Sequence, residues 1–207
     1  MSTQREFADE ETIAGTRYRV VGLIGSGGMG SVYEVEHLEL GKRFVLKALL
    51  RSLAGRDDLA VRLRNEWRAL GRLEHPNIVS VTDAGVTATG VPYYVMERLH
   101  GETLASRLRR ERRLPLAEAL RIAADVLDGL SAAHRIGIVH RDVKPANIFL
   151  VAGRPVKLLD FGIAKVLDPQ ASQITGQGIA IGTPRYLAPS RRPGRPWTRA
   201  RICTRRV

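Results

Sequence analysis

The stretch that decides the fold is His140-Arg-Asp-Val-Lys-Pro-Ala-Asn147, and Asp160-Phe-Gly162 begins 18 residues after Asp142. The first string matches every fixed position of the pattern H-R-D-x-x-x-x-N, and the second is the D-F-G that accompanies this pattern. No other part of the chain is as specific. Less specific motifs upstream are therefore interpreted by whether they occur in the same families as this one.

A glycine-rich loop lies far upstream, in Gly25-Ser26-Gly27-Gly28-Met29-Gly30, which has the form G-x-G-x-x-G. Dinucleotide-binding folds use the same string, but there the glycines open a helix. Here Ser31-Val-Tyr-Glu-Val35 continues as a strand, which predicts a hairpin able to fold over phosphates. Glycines suit this place because side chains would keep backbone N–H groups away from phosphate oxygens. A plain glycine-rich hairpin is an equally good interpretation of this string taken alone.

A lysine and a glutamate form the next candidate pair. Lys47 ends a short apolar strand, Phe44-Val-Leu-Lys47, where an unpaired ammonium would be costly. Glu66 is its natural partner, because it lies beside Trp67 on an amphipathic helix that leucine spacing predicts over residues 57–73. A surface lysine and a surface glutamate remain an alternative, since the spacing does not exclude it.

The remaining periodicity predicts two unlike halves. Alternating apolar residues predict strands around 18–24, 31–37, 44–47, 79–81 and 93–96. A long helix is predicted over residues 116–135, with five apolar side chains on one face: Leu116, Leu120, Ala123, Leu127 and Leu130. A strand-rich front with one helix, followed by a helical rear, predicts two lobes.

In this order, the strings resemble the eukaryotic-type serine/threonine protein kinases of bacteria over about residues 12–190. The resemblance implies an α+β, bilobal protein-kinase-like fold, with a β-rich N-lobe that has one main helix and a helical C-lobe that is incomplete. The expected organisation is a flexible N-terminus (1–11), the N-lobe and hinge (12–99), a partial C-lobe (100–189) and an Arg/Pro-rich tail (190–207), frame-shifted and disordered.

The resemblance also implies roles for single residues. Asp142 would orient the substrate hydroxyl and accept its proton, and Lys144 would neutralise charge on the transferred phosphoryl group. Asn147 and Asp160 would hold Mg²⁺, and Lys47 would hold the α- and β-phosphates of ATP. A lysine two residues after the aspartate resembles the serine/threonine class, so the expected partners are ATP, Mg²⁺ and a protein with a serine or threonine acceptor.

Less specific resemblances to the family concern the residues that would contact adenine and those that would be phosphorylated. Met96, Glu97 and Leu99 look like the gatekeeper and hinge, and Ile24 and Val32 would pack on the adenine ring; ordinary strand residues are an equally good interpretation without the family context. Two hydroxyls, Ser172 and Thr175, are candidate phosphorylation sites, although solvated loop hydroxyls are the ordinary interpretation of each. One departure is Val45, where the family prefers a smaller alanine; we expect a modest effect on ATP affinity.

Composition separates the tail from the rest. The chain of 207 residues has 33 basic and 21 acidic side chains, so its net charge is 33 − 21 = +12. Residues 190–207 hold seven arginines and no acid, so the first 189 residues carry 12 − 7 = +5. One cysteine and no long apolar run predict a reducing, cytoplasmic location without a membrane segment. Weak salt-sensitive binding to nucleic acid is expected from the arginines, but no specific binding.

The tail has an explanation in the genetic code. After Ala188-Pro189 the family has glutamate, whereas this chain has Ser190. Read one base earlier, the Trp197-Thr198 codons force Val, Leu or Met followed by Asp, Cys203 forces Leu or Met, and Thr204 forces Tyr or His. The shifted frame thus permits V-D-x-R-x-D-L-Y, which resembles the entry to the next family helix, and Ser190-Arg-Arg permits E-Q-A. We infer the loss of one base near the Pro189 codon.

Three functions are compatible with the chain at this stage. The motifs favour an active serine/threonine kinase. An incomplete C-lobe, which would leave apolar surface on the 116–135 helix without a partner, favours a fragment that binds ATP but is catalytically inactive. A nucleic-acid-binding function is disfavoured because the tail has one aromatic residue and no recognisable nucleic-acid-binding fold.

Overall fold

The chain forms two compact units. The computed structural model describes residues 5–27, 30–49, 67–153 and 155–161. One unit comprises the chain up to Arg72 together with Ser80–Leu99, and the other comprises Leu73–Val79 together with the chain from His100 onward. The predicted α+β class is confirmed, because the first unit is built on a sheet and the second on helices with a small sheet.

The first unit contains a five-stranded antiparallel sheet in the order β1-β2-β3-β5-β4. Its strands are β1 Tyr18–Gly27, β2 Gly30–His37, β3 Arg43–Leu49, β4 Val81–Val86 and β5 Pro92–Glu97. Side chains alternate between the two faces of such a sheet, so every second residue contributes to one core. Alternating residues of β2 and β3, among them Tyr33, Val35, Leu46 and Ala48, fill that core.

The N-terminal segment is part of this core, which corrects the expectation that residues 1–11 are flexible, at least from Arg5 onward. Phe7 is 4% exposed, and its ring lies 5.4 Å from that of Tyr33. The hydroxyl of Tyr33 accepts hydrogen bonds from the amides of Glu6 and Phe7. A backbone hydrogen bond from Glu10 to Val20 continues this attachment. A single aromatic residue in a polar segment therefore anchors the chain terminus to the sheet.

The predicted helix over residues 57–73 is described only at its end. Residues 67–71 are helical, and Trp67 and Leu70 are buried, as their spacing predicts. Residues 57–66 lie outside the described residues.

The described residues of the second unit form two α-helices and a three-stranded sheet in the order β6-β7-β8. Its elements are β6 Gly101–Thr103, α1 Leu104–Glu111, α2 Leu116–Arg135, β7 Ile148–Val151 and β8 Lys157–Leu158. The α2 helix has the predicted bounds: Pro115 precedes it, and Gly137, at φ +82°, provides the left-handed residue that follows its end. The α1 helix was not predicted; Thr103 caps it by accepting a hydrogen bond from the amide of Ser106.

Residues 73–79 belong to the second unit, whereas the sequence placed them in the N-lobe. The amide of Val79 donates to the carbonyl of Leu158, and the amide of Leu158 donates to the carbonyl of Asn77. The buried side chain of Asn77 donates to the carbonyl of Val156. These bonds hold Val79 against β8, and the strand predicted over residues 79–81 therefore begins only at Val81.

Several predicted features lie outside the described residues: Gly28, Met29, Glu66, Ser172, Thr175 and the tail 190–207. Among the described helices, none combines the length and apolar character needed to cross a lipid bilayer.

Candidate active site

One face of the first unit's sheet carries three of the predicted nucleotide-binding residues, Val32, Lys47 and Met96, together with Val45 and Tyr94. Val32 of β2 lies opposite Lys47 of β3, and Lys47 lies opposite Tyr94 of β5. Val45 lies opposite Met96 in the same way. Residues directly opposite each other in antiparallel strands share a face. These five residues therefore line the face opposite the Phe7 core, with Tyr94 and Met96 buried and the others at most half-buried.

Lys47 has an aromatic neighbour that the sequence analysis missed. Its Nζ lies 6.0 Å from the centroid of the Tyr94 ring, at the limit of a cation–π contact. The alternation in Pro92–Glu97 contained the signal, because Tyr94 is two residues from Met96 and so shares its face. Glu66, the predicted partner of Lys47, lies outside the described residues.

The glycine loop joins β1 to β2 as predicted. Gly25, Ser26 and Gly27 end β1, and Gly27 pairs with Gly30 at the start of β2. Gly30 has φ +133°, and a Cβ there would lie 2.0 Å from the carbonyl oxygen of Ala48, so only glycine fits. At Gly25 and Gly27 a Cβ would meet nothing within 4 Å, so these positions border open space that a ligand can enter.

The remaining adenine candidates lie on β1, at the end of β5 and just after β5. Ile24 is the most exposed of them, at 58%, beside the glycine loop. Glu97 ends β5, where its amide donates to the carbonyl of Ser80 and its carboxylate accepts from the amide of Ser80. Leu99 follows and is half-buried at the last position of the first unit. Glu97 pairs with Phe44, on the other face from Met96, and Leu99 lies beyond the end of β5, so the structure does not place these two side chains on the face described above.

In the second unit, the predicted catalytic groups are joined by direct contacts. The Asp142 carboxylate lies 2.9 Å from the Nζ of Lys144 and accepts a 3.1 Å hydrogen bond from the Nδ2 of Asn147. Asn147 also donates to the Asp142 carbonyl, at 2.9 Å. A 3₁₀ turn over Pro145–Asn147 returns the chain so that these residues meet. One carboxylate, one ammonium and one amide therefore form a network within a single loop.

A buried histidine, His140, makes hydrogen bonds that hold this loop in place. His140 is fully buried; its Nε2 lies 2.9 Å from the carbonyl of Leu159, and its ring centroid lies 4.6 Å from that of Phe161. The amide of Asp142 donates to Nδ1, so Nε2 is the nitrogen that carries the proton and donates. Burial lowers the pKa of His140 to about 4, against the weaker raising effect of the hydrogen bond and the Asp142 and Asp160 charges. The imidazole is therefore neutral at pH 7.

Two residues of the site have a backbone conformation that side chains disfavour. Arg141 has φ +63° and Asp160 has φ +51°. Such left-handed residues cost free energy and persist only where surrounding contacts impose them. Here the amide of Leu159 donates to the carbonyl of Asn147, which ties the segment before Asp160 to the catalytic loop. One strained residue, Arg141, directly precedes Asp142, and the other is Asp160 itself. Both carboxylates have a predicted chemical role.

The predicted metal ligands suit magnesium. Asn147 donates through Nδ2, so its Oδ1 is the side-chain atom that can face a cation. Mg²⁺ is commonly held by one or two protein oxygens together with substrate phosphates and water, rather than by a complete protein cage. Within the described residues there is no cluster of three acidic, histidine or cysteine side chains that would form such a cage. The side-chain oxygens of Asn147 and Asp160 are donors of the kind that Mg²⁺ prefers, so their chemistry fits the predicted metal site.

The family model of the protein kinase domain matches residues 18–197. This chain belongs to the protein kinase family. It is 41% identical over 187 residues to the serine/threonine-protein kinase PknA of Mycobacterium tuberculosis, covering 88% of this chain and 43% of that protein. It is 40% identical over 183 residues to a probable serine/threonine-protein kinase of Corynebacterium efficiens, covering 87% of this chain and 28% of that protein.

Solved kinase domains share the fold. The Mycobacterium tuberculosis PknI kinase domain superimposes with a TM-score of 0.66 at 36% sequence identity. The match covers 76% of this chain and 63% of that domain. The kinase chain thus spans less than half the length of these curated relatives, and just under two thirds of the solved kinase domain.

Proposed function

We propose that this chain transfers the γ-phosphoryl group of ATP to serine or threonine hydroxyls of proteins. The observation that carries the proposal is the contact network of Asp142, Lys144 and Asn147, in which Asp142 lies within 3.1 Å of each of the other two. A carboxylate, an ammonium and an amide oxygen in one loop support the proposal, because they would serve as proton acceptor, cation and metal ligand. Phosphoryl transfer needs these three functions and little covalent chemistry from the protein.

The transfer itself assigns one role to each group. The substrate hydroxyl oxygen forms a bond to the γ-phosphorus, the bond to the β–γ bridging oxygen breaks, and its electron pair leaves with ADP. The hydroxyl proton passes to the Asp142 carboxylate, which is largely shielded from water and hydrogen-bonded on one oxygen. Lys144 neutralises the charge of the transferred group, because its ammonium is already held 2.9 Å from Asp142.

The nucleotide would be held by the sheet face of the first unit. Lys47 would meet the α- and β-phosphates under the glycine loop, with Glu66 as its partner. The apolar side chains of Ile24, Val32 and Met96 would contact adenine, and backbone groups of Glu97 and Leu99 would bond its edge. Val45, which shares the face with Met96, narrows the adenine site relative to an alanine.

Magnesium would be held by Asn147 and Asp160, and when bound it neutralises phosphate charge. The protein's own contribution is to hold these two side chains. Asn147 is buried and fixed by two hydrogen bonds to Asp142, and Asp160 follows the segment bonded to Asn147 and His140.

The acceptor class rests on Lys144 and on the relatives. A lysine two residues after the aspartate resembles the serine/threonine class, and the similar bacterial proteins are named serine/threonine-protein kinases. We propose a protein substrate and ATP as partners, without specific nucleic-acid binding. Cytoplasmic location stays a prediction from the sequence.

A second candidate is a nucleotide-binding chain without transfer activity. One observation favours it: three leucines on one face of α2 are exposed to solvent, at Leu116, Leu120 and Leu127. Lys47, Val32 and Met96, which we propose to contact the nucleotide, belong to the first unit, and the core cluster of that unit contains no residue of α2, so ATP binding would persist where transfer fails.

The test combines product analysis with nucleotide binding. The full chain is incubated with γ-labelled ATP, Mg²⁺ and a generic basic protein, and phosphoamino acids are identified by mass spectrometry. We expect phosphoserine and phosphothreonine, with none formed by Asp142→Asn. Binding of a fluorescent ATP analogue without transfer would support the second candidate, and phosphotyrosine as the main product would contradict the proposed acceptor.

A further inference from the structure

The short helix α1 and the turn that follows it are strongly basic. Residues 104–115 contain five arginines and one glutamate, so their net charge is 5 − 1 = +4. Carboxylates hold two of these arginines. Arg110 bonds both carboxylate oxygens of Glu102, and the Nε of Arg107 lies 2.8 Å from a carboxylate oxygen of Glu111. These pairs leave three arginines that face solvent.

The three remaining residues form what we call the arginine surface: Arg109, Arg112 and Arg113. All three are exposed, and no carboxylate in the described part of the chain pairs with any of them. Arg109 bonds the hydroxyl of Ser106, at 3.1 Å. Like charges within five consecutive residues repel one another, and an anionic group that binds them relieves this repulsion. The arginine surface therefore favours a negatively charged partner.

The backbone at Arg112 supports a binding role for this side chain. Arg112 follows the last residue of α1 with φ +64° and ψ −40°, and its amide closes the helix by donating to the carbonyl of Leu108. Glycine is the preferred residue at such a helix end, because a Cβ makes a positive φ costly. Within the described residues, no ion pair of the Arg112 side chain offsets this cost. Strain of this kind is typical of residues that serve binding.

The arginine surface lies on the helix that contacts the catalytic loop. Thr103, directly before α1, pairs with Phe149, which lies two residues after Asn147. The α1 helix also packs against the 3₁₀ turn Pro145–Asn147. Since α1 has eight residues, its far end lies about 12 Å from its start. An extended peptide covers this distance in about four residues, so a segment whose acceptor lies at Asp142 can reach the arginines.

An acidic peptide fits the arginine surface better than a nucleic acid or a membrane does. Three arginines neutralise few phosphates, and residues 104–115 contain no aromatic side chain on which a base could stack. Helices that bind membrane surfaces combine basic residues with an exposed apolar face. Here the neighbouring leucines, Leu108 and Leu114, are half-buried. A short acidic segment, in contrast, needs only the charges that are present.

We propose that the arginine surface docks an acidic segment of the protein substrate, with aspartate or glutamate side chains about four to six residues from the serine or threonine acceptor. Carboxylates of the substrate pair with Arg109, Arg112 and Arg113, and the acceptor is thereby held near Asp142. The proposal rests on the proposed transfer to protein hydroxyls and names the class of protein that accepts the phosphoryl group. Because the three arginines do not touch the reacting atoms, they act on KM and not on kcat.

The experiment uses two fluorescently labelled peptides and the full chain. One peptide has a threonine acceptor with a run of glutamates on each side, and the other has glutamine in place of each glutamate. Binding is measured by fluorescence anisotropy without ATP, and transfer is measured separately with ATP and Mg²⁺. The test variant is Arg109→Gln/Arg113→Gln. Its matched control, Arg17→Gln/Lys42→Gln, removes the same charge from exposed positions of the first unit.

The wild type should bind the acidic peptide about tenfold more tightly than the glutamine peptide at low ionic strength, and salt should reduce the difference. The test variant should bind the acidic peptide about 3–10-fold more weakly, whereas the control variant should stay within about twofold. In the transfer assay, the test variant should raise the KM for the acidic peptide by about the same factor and leave kcat unchanged.

A second variant, Arg112→Gly, separates binding from folding. Glycine adopts a φ of +64° without steric cost, so the Tm should stay the same or rise by about 2 °C. The acidic peptide should nevertheless bind about 2–5-fold more weakly. A merely structural role of this arginine would not lower the affinity while stability is kept or gained.

Three results would overturn the proposal. The first is equal binding of the two peptides by the wild type, and the second is an equal effect of the test and control substitutions. The third is a DNA duplex or a phosphatidylserine vesicle that binds more tightly than the acidic peptide and loses binding in the test variant. Failure of the proposed transfer is distinct: a chain that binds the acidic peptide through the arginines but phosphorylates neither peptide supports the docking surface and contradicts the proposed function.

Discussion

The two units of this kinase chain differ in how far their apolar side chains are buried. Within its described residues, the first unit buries one core cluster, in which Phe7 from the N-terminal segment packs against Tyr33. The second unit leaves one face of α2 exposed, yet its catalytic loop is fully connected by hydrogen bonds. The difference shows that local order at a reactive site depends on its immediate contacts and not on closure of the whole core.

The reason lies in what holds the loop. His140 bonds to the carbonyl of Leu159, Asn147 bonds to Asp142, and the amide of Leu159 bonds to the carbonyl of Asn147. Residues 73–79 are hydrogen-bonded to β8 and to the residue before it through Asn77 and Val79. These contacts do not involve the exposed leucines of α2, Leu116, Leu120 and Leu127. Within the described residues, the loop that carries Asp142 is therefore held by contacts that are separate from the exposed side of α2.

The largest expected effects come from a matched pair of glycines, one in each unit. Gly30 (φ +133°) and Gly101 (φ +147°) both lie where a Cβ would be 2.0 Å from a neighbouring carbonyl oxygen. Alanine at either position should lower the free energy of unfolding by about 2–6 kcal/mol, from backbone strain and overpacking. Gly41→Ala, at φ +61° with open space around it, should cost only about 1–2 kcal/mol.

Hydrogen exchange measured segment by segment separates the units in this experiment. Gly30→Ala should lower protection mainly in β1, β2 and β3, and Gly101→Ala mainly in β6, β7 and β8. Equal loss of protection throughout the chain in both variants would break the distinction between the units.

The second prediction concerns the N-terminal anchor. Phe7→Ala should destabilise the first unit by about 3–5 kcal/mol, because it removes a buried aromatic ring from a closed core. Urea denaturation followed by tyrosine fluorescence measures this, since Tyr33 contacts the ring. Leu38→Ala, at an exposed position, serves as the control, and an equal effect of both substitutions would mean that residues 5–11 do not anchor the sheet.

The third prediction concerns pH. The pKa of His140 is lowered to about 4 by burial, whereas in the unfolded chain it is ordinary, near 6.5. As the pH falls from about 7 to 4, the unfolded chain takes up a proton that the folded chain does not. The free energy of unfolding should therefore decrease across this window, by about 3 kcal/mol from this residue.

Denaturation midpoints at about pH 7 and pH 4, the two ends of this window, measure the effect. Comparison with His140→Gln removes the contribution of carboxylates that titrate nearby. The variant should show a smaller loss between the two pH values than the wild type. The same loss in both would contradict a neutral, buried His140.

The smallest expected effect comes from an exposed ion pair of the second unit. Arg110 bonds both carboxylate oxygens of Glu102, at 2.9 and 2.7 Å, and these hydrogen bonds lower the pKa of Glu102. Because both groups are in solvent, Arg110→Ala should leave the Tm within about 1 °C. A larger drop in a thermal melt would show that surface charge, and not the buried face of α2, stabilises this unit.

The features that the sequence predicted are those that depend on local residue patterns, namely the strands and the α2 helix. Strand alternation predicted the strands that carry Val32, Lys47 and Met96, and leucine spacing predicted α2 with its observed bounds. The roles of Asp142, Lys144 and Asn147 stay predictions from the motif, and the structure brings these three side chains into contact. The same alternation would have found Tyr94, had the face of β5 been read beyond Met96.

Other features depend on contacts between distant segments. The attachment of Phe7 to Tyr33, and of Val79 to Leu158, joins residues far apart in the chain, and no local pattern marks them. The left-handed backbone of Arg141 and Asp160 is imposed by surrounding hydrogen bonds against the preference of the residues themselves. The α1 helix, in contrast, had a readable signal in its Thr103 cap and its helix-forming residues.

The most direct test of the account is phosphoryl transfer by the wild-type chain, Asp142→Asn and the matched control Asp128→Asn. Asp128 lies on α2 in the same unit, is exposed and contacts His75 rather than the catalytic loop. We predict that Asp142→Asn lowers the transfer rate by about 10²–10⁴-fold while ATP binding stays within about threefold, and that Asp128→Asn changes neither. Equal transfer by the wild type and Asp142→Asn, or no transfer by a folded wild-type chain that binds ATP, would contradict it.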